Sequence, residues 1–505
     1  MSTETLPGPV ATARNDSSAL RLLDRSLIHG IAWTSGAKWG GQLLAWASTL
    51  IVARLLTPED YGLVGMAAVY MGLVTLVSEF GLGYTVITMR DLTDHQVAEV
   101  NGLSLIVGCA CFALSCAAAA PLGRFFHAPQ LPAVIVAMST AFIITAFKTV
   151  PLSLLQRELR FRTLAVVDTG RSLTLALGMI LFALAGFRYW TLVIGGLLSA
   201  TLSTAAILLQ RRHEFAWPRL QSLRHAIKFS GSVLVSRLSW YTYSNADFLV
   251  AGRVLGKAAL GLYEFGWNLA NLPVEKITAL IGEVTSTIFA AVQRDPAALR
   301  RYLLRITEGI ALVTFPATWG IALVAPDFVV LVLGEKWRGA IVPLQILAVS
   351  TGLRSITPLL AQVLNAVGLA GANMGYGLLC AGVLVPAFYG AAKAWGTAGL
   401  AMAWLIVYPL LVLPAAYRAL KAIHLSAREY LASLWPAASA TIFMCAAVLA
   451  ARLASGQLPR GARLAIEIAT GAVSYVLTCL VMHRSRLLAF RRLLVASRHP
   501  PVDTA

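Results

Sequence analysis

Apolar stretches long enough to cross a lipid bilayer recur along almost the whole of this chain, and that feature limits its fold more than any other. Fourteen windows qualify, at about 31–56, 62–88, 97–120, 131–155, 164–186, 189–209, 227–251, 262–292, 306–325, 341–366, 371–393, 395–419, 431–453 and 462–482. Each approaches or exceeds the ~20 mostly apolar residues that a membrane helix needs. Strands are excluded, because the runs do not alternate and are too long, and only helices or closed barrels satisfy their backbone groups in hydrocarbon. The expected fold is all-α: a polytopic membrane protein with 14 transmembrane helices. Only 13% of the 505 residues are charged, about half the share of roughly 25% in a soluble protein, so most of the surface faces lipid.

The net charge of +18 would raise nucleic acid as a partner for a soluble protein. Here the basic residues lie in short connections between apolar spans, where they fix orientation instead, and no nucleic acid is expected. Counted with the adjoining helix ends, the two tails and the even-numbered connections hold 24 Lys and Arg against 11 at the odd-numbered ones. Both termini are therefore expected in the cytoplasm. The densest cytoplasmic connection holds Arg211, Arg212, Arg219, Arg224 and Lys228, whereas 367–370 holds none. The six cysteines all fall in apolar stretches without metal-like spacing and read as small apolar side chains. Residues 1–30 lack a compact apolar core with a small-residue cleavage site, so no cleaved signal peptide is expected.

An internal repeat organises the spans. Val52-Ala53-Arg54-Leu55-Leu56 and Tyr61-Gly62-Leu63 are echoed by Val250-Ala251-Gly252-Arg253-Val254-Leu255 and Leu260-Gly261-Leu262, at an offset of 198 to 199 residues. Ala137-Met138-Ser139-Thr140, followed by Pro151-Leu152 and Gln156, is echoed by Ala348-Val349-Ser350-Thr351, followed by Pro358-Leu359 and Gln362. Matches in this order indicate a duplication of six spans. The expected plan has a cytoplasmic tail at 1–30, an N-lobe at 31–210, a linker at 211–226 and a C-lobe at 227–420. Two peripheral helices follow within 431–482, then a second cytoplasmic tail at 483–505. An even number of spans brings both copies in from the same side, so the two pseudo-symmetric lobes are related by an axis along the membrane normal. A substrate path between such lobes opens alternately to each face.

Two stretches carry a family resemblance: Ala53-Arg54-Leu55-Leu56-Thr57-Pro58-Glu59-Asp60-Tyr61-Gly62 after span one, and Pro151-Leu152-Ser153-Leu154-Leu155-Gln156-Arg157-Glu158-Leu159-Arg160-Phe161 after span four. The chain resembles the Wzx-type polysaccharide flippases of the MOP exporter superfamily, close to the branch associated with exopolysaccharides such as colanic acid and xanthan. The resemblance covers about residues 25–425 and implies a multi-pass bacterial inner-membrane protein. Its cargo would be an undecaprenyl-diphosphate-linked oligosaccharide, turned from the cytoplasmic to the periplasmic leaflet during exopolysaccharide or lipopolysaccharide biosynthesis. It also implies membrane lipid as a partner and allows other polysaccharide assembly proteins.

Independently of the family, the spans contain Lys38, Lys148, Arg171, Arg237, Lys276 and Arg354, along with Glu79, Asp168, Asp247, Glu264, Glu275, Glu283 and Glu308. A charge at the bilayer centre costs about 2.5–3.5 kcal/mol on insertion scales, so each is expected to meet a partner or a wet cavity. The six cations suggest anionic cargo, since Arg forks two donors onto phosphate and Lys supplies a compact charge. Lys38, Lys148 and Arg171 lie roughly 10 Å inside the cytoplasmic helix ends, and Arg237, Lys276 and Arg354 lie nearer the middle. Helical spacing lines up Arg237, Trp240, Tyr241, Ser244 and Asp247 in span seven, Glu264, Asn268, Asn271, Glu275 and Thr278 in span eight, and Trp39, Gln42, Trp46 and Thr49 in span one. Aromatic rings with amides and hydroxyls suit a sugar. Plainer readings stand beside these: Lys38 and Lys148 as snorkelling side chains, Arg171 as the partner of Asp168, Lys276 as the partner of Glu275, and the Trp39 and Trp46 stripe as helix packing. Asp247 and Glu264 are the candidates for carrying a coupling ion, a proton or sodium. No catalytic residue, metal site or further cofactor is expected.

Three functions compete on this pattern. A flippase makes and breaks no bond. A membrane polysaccharide polymerase or ligase needs an extended outer loop, and the longest odd-numbered connection here is about 15 residues. A multidrug exporter of the same superfamily would carry cations, which six intramembrane Lys and Arg disfavour.

Overall fold

The computed structural model describes residues 44–79, 83, 86, 87, 92–219, 238 and 240–484, without the side chains of 79, 276, 277, 279–284, 286, 370 and 372–374. Lys38, Trp39, Gln42 and Arg237 lie outside the described residues, and of Lys276 only its place on a helix is described. The described residues form helices and no strand. Ten helical segments among them are long and apolar enough to cross a membrane, which makes this a multi-pass membrane protein.

In chain order the helices are α1 (Leu44–Leu55), α2 (Pro58–Glu79), α3 (Asp94–Phe125), α4 (Leu131–Arg157), α5 (Phe161–Leu184) and α6 (Trp190–Gln210). Next come the short α7 (Ala246–Val250), α8 (Gly256–Ala291), α9 (Pro296–Phe328), α10 (Ile341–Arg354) and α11 (Thr357–Ala366). The last four are α12 (Ala370–Met402), α13 (Tyr408–Ala422), α14 (Ala427–Ala454) and α15 (Arg460–Met482). Local sequence sets several of the starts. Thr93 with Gln96, and Ser426 with Glu429, form capping boxes, and Asp295 accepts from the Ala297 and Ala298 amides ahead of α9. Within the spans, serine and threonine hydroxyls bond back to carbonyls three or four residues earlier, as Thr314 does to Ile310 (2.9 Å) and Thr318 to Thr314 (2.8 Å). Such bonds satisfy these hydroxyls away from water.

Two spans differ from their sequence windows. The window at 341–366 is not one helix but breaks after Arg354, because Pro358 has no N–H to offer the Arg354 carbonyl. The Thr357 hydroxyl takes that carbonyl instead, at 2.8 Å. The window at 395–419 begins at Gly396 (φ 60°), where two helices meet at a kink, and then loosens into a π turn at Ala403–Val407 before α13.

The helices pack as two groups. In the first, α4 lies against α2, α3 and α6, and α5 against α6, while the Ser48 hydroxyl of α1 reaches the Ala176 carbonyl of α5 at 3.0 Å. In the second, α10 lies against α8, α9 and α12, and α12 against α7 and α13. The hairpin α14–α15 lies on α9, on the outside of the second group. The groups meet along α2 and α8, whose buried core includes Met66, Leu260, Tyr263 and Phe265.

Candidate functional site

The two groups meet through a pair of glycines. A Cβ on Gly62 would overlap the Lys257 carbonyl oxygen, and a Cβ on Gly261 would overlap the Pro58 carbonyl oxygen. Gly62 and Gly261 stand 199 residues apart, as do Pro58 and Lys257, so the same contact is made twice with the halves exchanged. Exchange of this kind is the signature of a twofold axis.

Polar contacts surround the crossing. Glu59 pairs with Lys257 at 2.9 Å, the Lys336 ammonium donates to the Arg54 carbonyl at 2.7 Å, and the Trp337 indole donates to the Ala53 carbonyl at 2.8 Å. Trp337 is fully buried, with ring centroids 5.4 Å from Tyr61 and 4.6 Å from Phe265. Arg54 donates to the Leu331 and Val332 carbonyls at 3.3 and 3.4 Å. Arg253, its counterpart in the repeat, meets the His127 ring nitrogens at 2.5 and 3.0 Å and lies over Phe125. Each repeat arginine thus crosses to the other group. Farther along the seam, the Glu264 carboxylate abuts Gly65, and the Tyr241 hydroxyl donates to the Val69 carbonyl at 2.9 Å beside Gly72.

A second cluster lies inside the second group. The Arg354 guanidinium packs over Trp404 at 4.0 Å, Trp267 at 4.7 Å and Tyr408 at 5.3 Å. Its Nη1 is buried without a hydrogen-bond partner, and the carboxylate it acts on electrostatically, Asp247, is not in ion-pair contact with it. Aromatic faces therefore hold this cation, each contributing about 0.5–2 kcal/mol. Beside it, the fully buried Asp247 accepts from the Tyr263 hydroxyl and the Trp404 indole, each at 2.7 Å, with Oδ1 left free of any hydrogen bond. Trp404 joins the two charges, offering its face to one and its N–H to the other.

The remaining sequence candidates are spread more widely. Lys148 donates to the Ser203 hydroxyl at 3.1 Å, within electrostatic reach of Arg171 and Asp168. Arg171 pairs with Asp168 at 2.9 Å on an exposed helix face. Trp240 is exposed and Ser244 bonds back to the Trp240 carbonyl, so the expected face of span seven divides among solvent or lipid, the seam and the core. On α8, Asn271 bonds back to the Trp267 carbonyl at 2.9 Å and Asn268 is exposed. Trp46 and Thr49 line an almost wholly apolar groove of about 690 Å³ between α1, α8, α9 and the α14–α15 hairpin. Such a wall suits a hydrocarbon chain better than a sugar. Sequence reasoning passed over Trp267, Trp404, Tyr408 and Trp337. The signals were there in the spacing of Trp404 and Tyr408, four apart on one face, and of Trp267 and Asn271.

A family model described as polysaccharide biosynthesis protein matches residues 51–342. The chain is 25% identical over 430 residues to the lipopolysaccharide biosynthesis protein WzxC of Escherichia coli (strain K12), covering 79% of this chain and 84% of that one. It is 24% identical over 428 residues to the succinoglycan biosynthesis transport protein ExoT of Rhizobium meliloti (strain 1021), covering 81% and 85%. In structure it is similar to the lipid II flippase MurJ in an inward closed conformation, with a TM-score of 0.73 at 12% identity, covering 90% of this chain and 100% of that one. That likeness establishes the transporter fold.

Proposed function

We propose that this chain, which belongs to the polysaccharide biosynthesis protein family, is a flippase for an undecaprenyl-diphosphate-linked oligosaccharide. It carries its cargo from the cytoplasmic to the periplasmic leaflet of a bacterial inner membrane by alternating access, and makes or breaks no bond. The observation that carries the mechanism is the exchanged contact of Gly62 with Lys257 and Gly261 with Pro58, which supports two like lobes hinging about a shared axis. The names of the relatives, WzxC and ExoT among them, support the cargo class. The surplus of Lys and Arg in the tails and even-numbered connections, 24 against 11, supports cytoplasmic termini and, with them, a periplasmic glycine crossing. This conformation is then the one closed to the periplasm.

Each part of the cargo has a physical counterpart. Arg354, a cation held by aromatic faces with Nη1 free of any hydrogen bond, is the anchor for the diphosphate, because charge-assisted bonds to phosphate are the strong ones. The polyprenyl tail lies in the apolar groove past Trp46 and stays in lipid-like surroundings while the headgroup crosses. Asn268 and Asn271 on α8 are the side chains we assign to the sugar. Asp247 and Glu264 carry the coupling ion, a proton or sodium: the first is joined to the Arg354 cage through Trp404, and the second sits at the seam itself. The test is reconstitution in vesicles with the diphosphate-linked oligosaccharide in the inner leaflet, following its appearance outside with a lectin. A rate no higher than that of protein-free vesicles overturns the reading.

A further inference from the structure

A pocket of about 850 Å³ opens between the start of α9 and the corner joining α13 to α14. No residue of the first helix group lines it, so it lies away from the seam. Its walls include Arg300, Arg301, Arg305 and His424. His424 is held at φ 53°, a left-handed conformation that ends α13 and turns the chain into α14. The carboxylates in the same pocket are already engaged. Asp295 accepts from two amides at 3.0 Å, Glu429 binds Arg300 at 2.5 Å and the Ser426 amide at 3.3 Å, and Glu308 has a partner of its own. Arg301 lies over the Tyr302 ring at 5.4 Å, and neither it nor Arg305 forms an ion pair among the described residues. Arg294, Arg418, Lys421 and Arg428 add charge at the same end of these helices.

Helix length sets the depth. The 33 residues of α9 reach about 50 Å, whereas the hydrocarbon core is about 30 Å thick. The first turns of α9, which carry these arginines, therefore stand at the level of the headgroups. A pocket at that level, with two guanidinium groups paired to no described carboxylate and an imidazole, matches the phosphate of a lipid.

We propose that this pocket binds the headgroup phosphate of an anionic phospholipid of the cytoplasmic leaflet, such as phosphatidylglycerol, with Arg301, Arg305 and His424 as donors. The bilayer is the source rather than the cargo, because neither the seam nor the Arg354 cage contributes a residue to this pocket. Bound lipid links α9 to the α13–α14 corner, and so holds the outer hairpin on the second group. The leaflet follows from the orientation proposed above, but binding to purified protein reads neither leaflet nor transport, so failure here leaves the flippase reading untouched.

The experiment is native mass spectrometry and thermal unfolding of the full-length protein in detergent, titrated with phosphatidylglycerol or phosphatidylcholine. Each basic residue near an anionic surface contributes roughly a fivefold gain in affinity. The double variant Arg301→Gln/Arg305→Gln is therefore expected to bind phosphatidylglycerol roughly 25-fold more weakly and to lose the thermal shift that this lipid gives the wild type. Arg301→Lys/Arg305→Lys, which keeps the charge and removes least from the fold, should retain most of the preference. Equal binding of the two lipids by the wild type overturns the proposal, as does wild-type affinity in the glutamine variant. Displacement of phosphatidylglycerol by the undecaprenyl-diphosphate oligosaccharide, sensitive to the same two arginines, also overturns it and assigns the pocket to cargo. An acidic protein partner is the answer only if neither lipid binds, which overturns it too.

Discussion

Replacing Gly62 with alanine puts a methyl group where α8 already stands. The new carbon would lie 2.6 Å from the Lys257 carbonyl carbon and 2.9 Å from the Gly261 nitrogen, and closer still to the Lys257 oxygen. Ordinary van der Waals contact begins near 3.4 Å. Neither neighbour is a side chain that can swing away, so the two backbones must part by more than an ångström, forfeiting much of the packing along the crossing. Inserting one methyl group into a close-packed site costs about 1–3 kcal/mol. Charged against the closed conformation alone, that shifts the balance toward the open one by about 5- to 150-fold. Gly261→Ala is expected to have the same effect, since its methyl group would meet the Pro58 carbonyl carbon at 2.8 Å and the Gly62 nitrogen at 2.9 Å. Spin labels on the exposed Gln130 and Arg338, one on each helix group, report the separation at this end. Both variants should lengthen the distance distribution in vesicles. Gly196→Ala on α6, where nothing lies within 4 Å, should leave it unchanged. Wild-type distributions in both seam variants would refute the reasoning.

Three further outcomes follow from the geometry. Arg452→Ala should destabilise the fold by about 3–5 kcal/mol, because it strips the fully buried Glu467 of its 2.7 Å partner; an unchanged thermal unfolding midpoint would contradict this. Arg354→Gln should weaken binding of undecaprenyl diphosphate by about 10- to 150-fold, the worth of a hydrogen bond to a charged group at 1.5–3 kcal/mol; calorimetry showing wild-type affinity would count against the anchor. Asp247→Asn keeps an oxygen for Tyr263 and Trp404 but removes the charge. Transport by that variant should lose its response to an imposed proton or sodium gradient, and a wild-type response would remove Asp247 from coupling.

Much of this architecture could be read from the sequence because lipid imposes simple rules on it. Apolar length marked the spans, and the repeat placed Arg54 opposite Arg253 and Gly62 opposite Gly261 before any contact was known. What the sequence could not convey was depth within a lobe and direction around a helix. Asp247 and Tyr241 share a helical face by spacing, yet one ends in the core against Trp404 and the other at the seam against Val69. The aromatic cage of Arg354 joins residues from α8, the π turn and α13, and such long-range assembly leaves no local pattern. Arg171 shows the reverse case. Its neighbour three residues earlier was visible in the sequence, and the two are paired in the structure.

Alternating access itself is open to one direct measurement. With Cys109 and Cys116 replaced by alanine and Glu59→Cys/Lys257→Cys introduced, the two sulfurs stand on opposite sides of the crossing and can be bridged by a short, reductively cleavable bis-thiol reagent. Flipping of the diphosphate-linked oligosaccharide in vesicles should stop once the bridge forms and resume when it is cleaved. Undiminished flipping with the bridge intact would contradict the account.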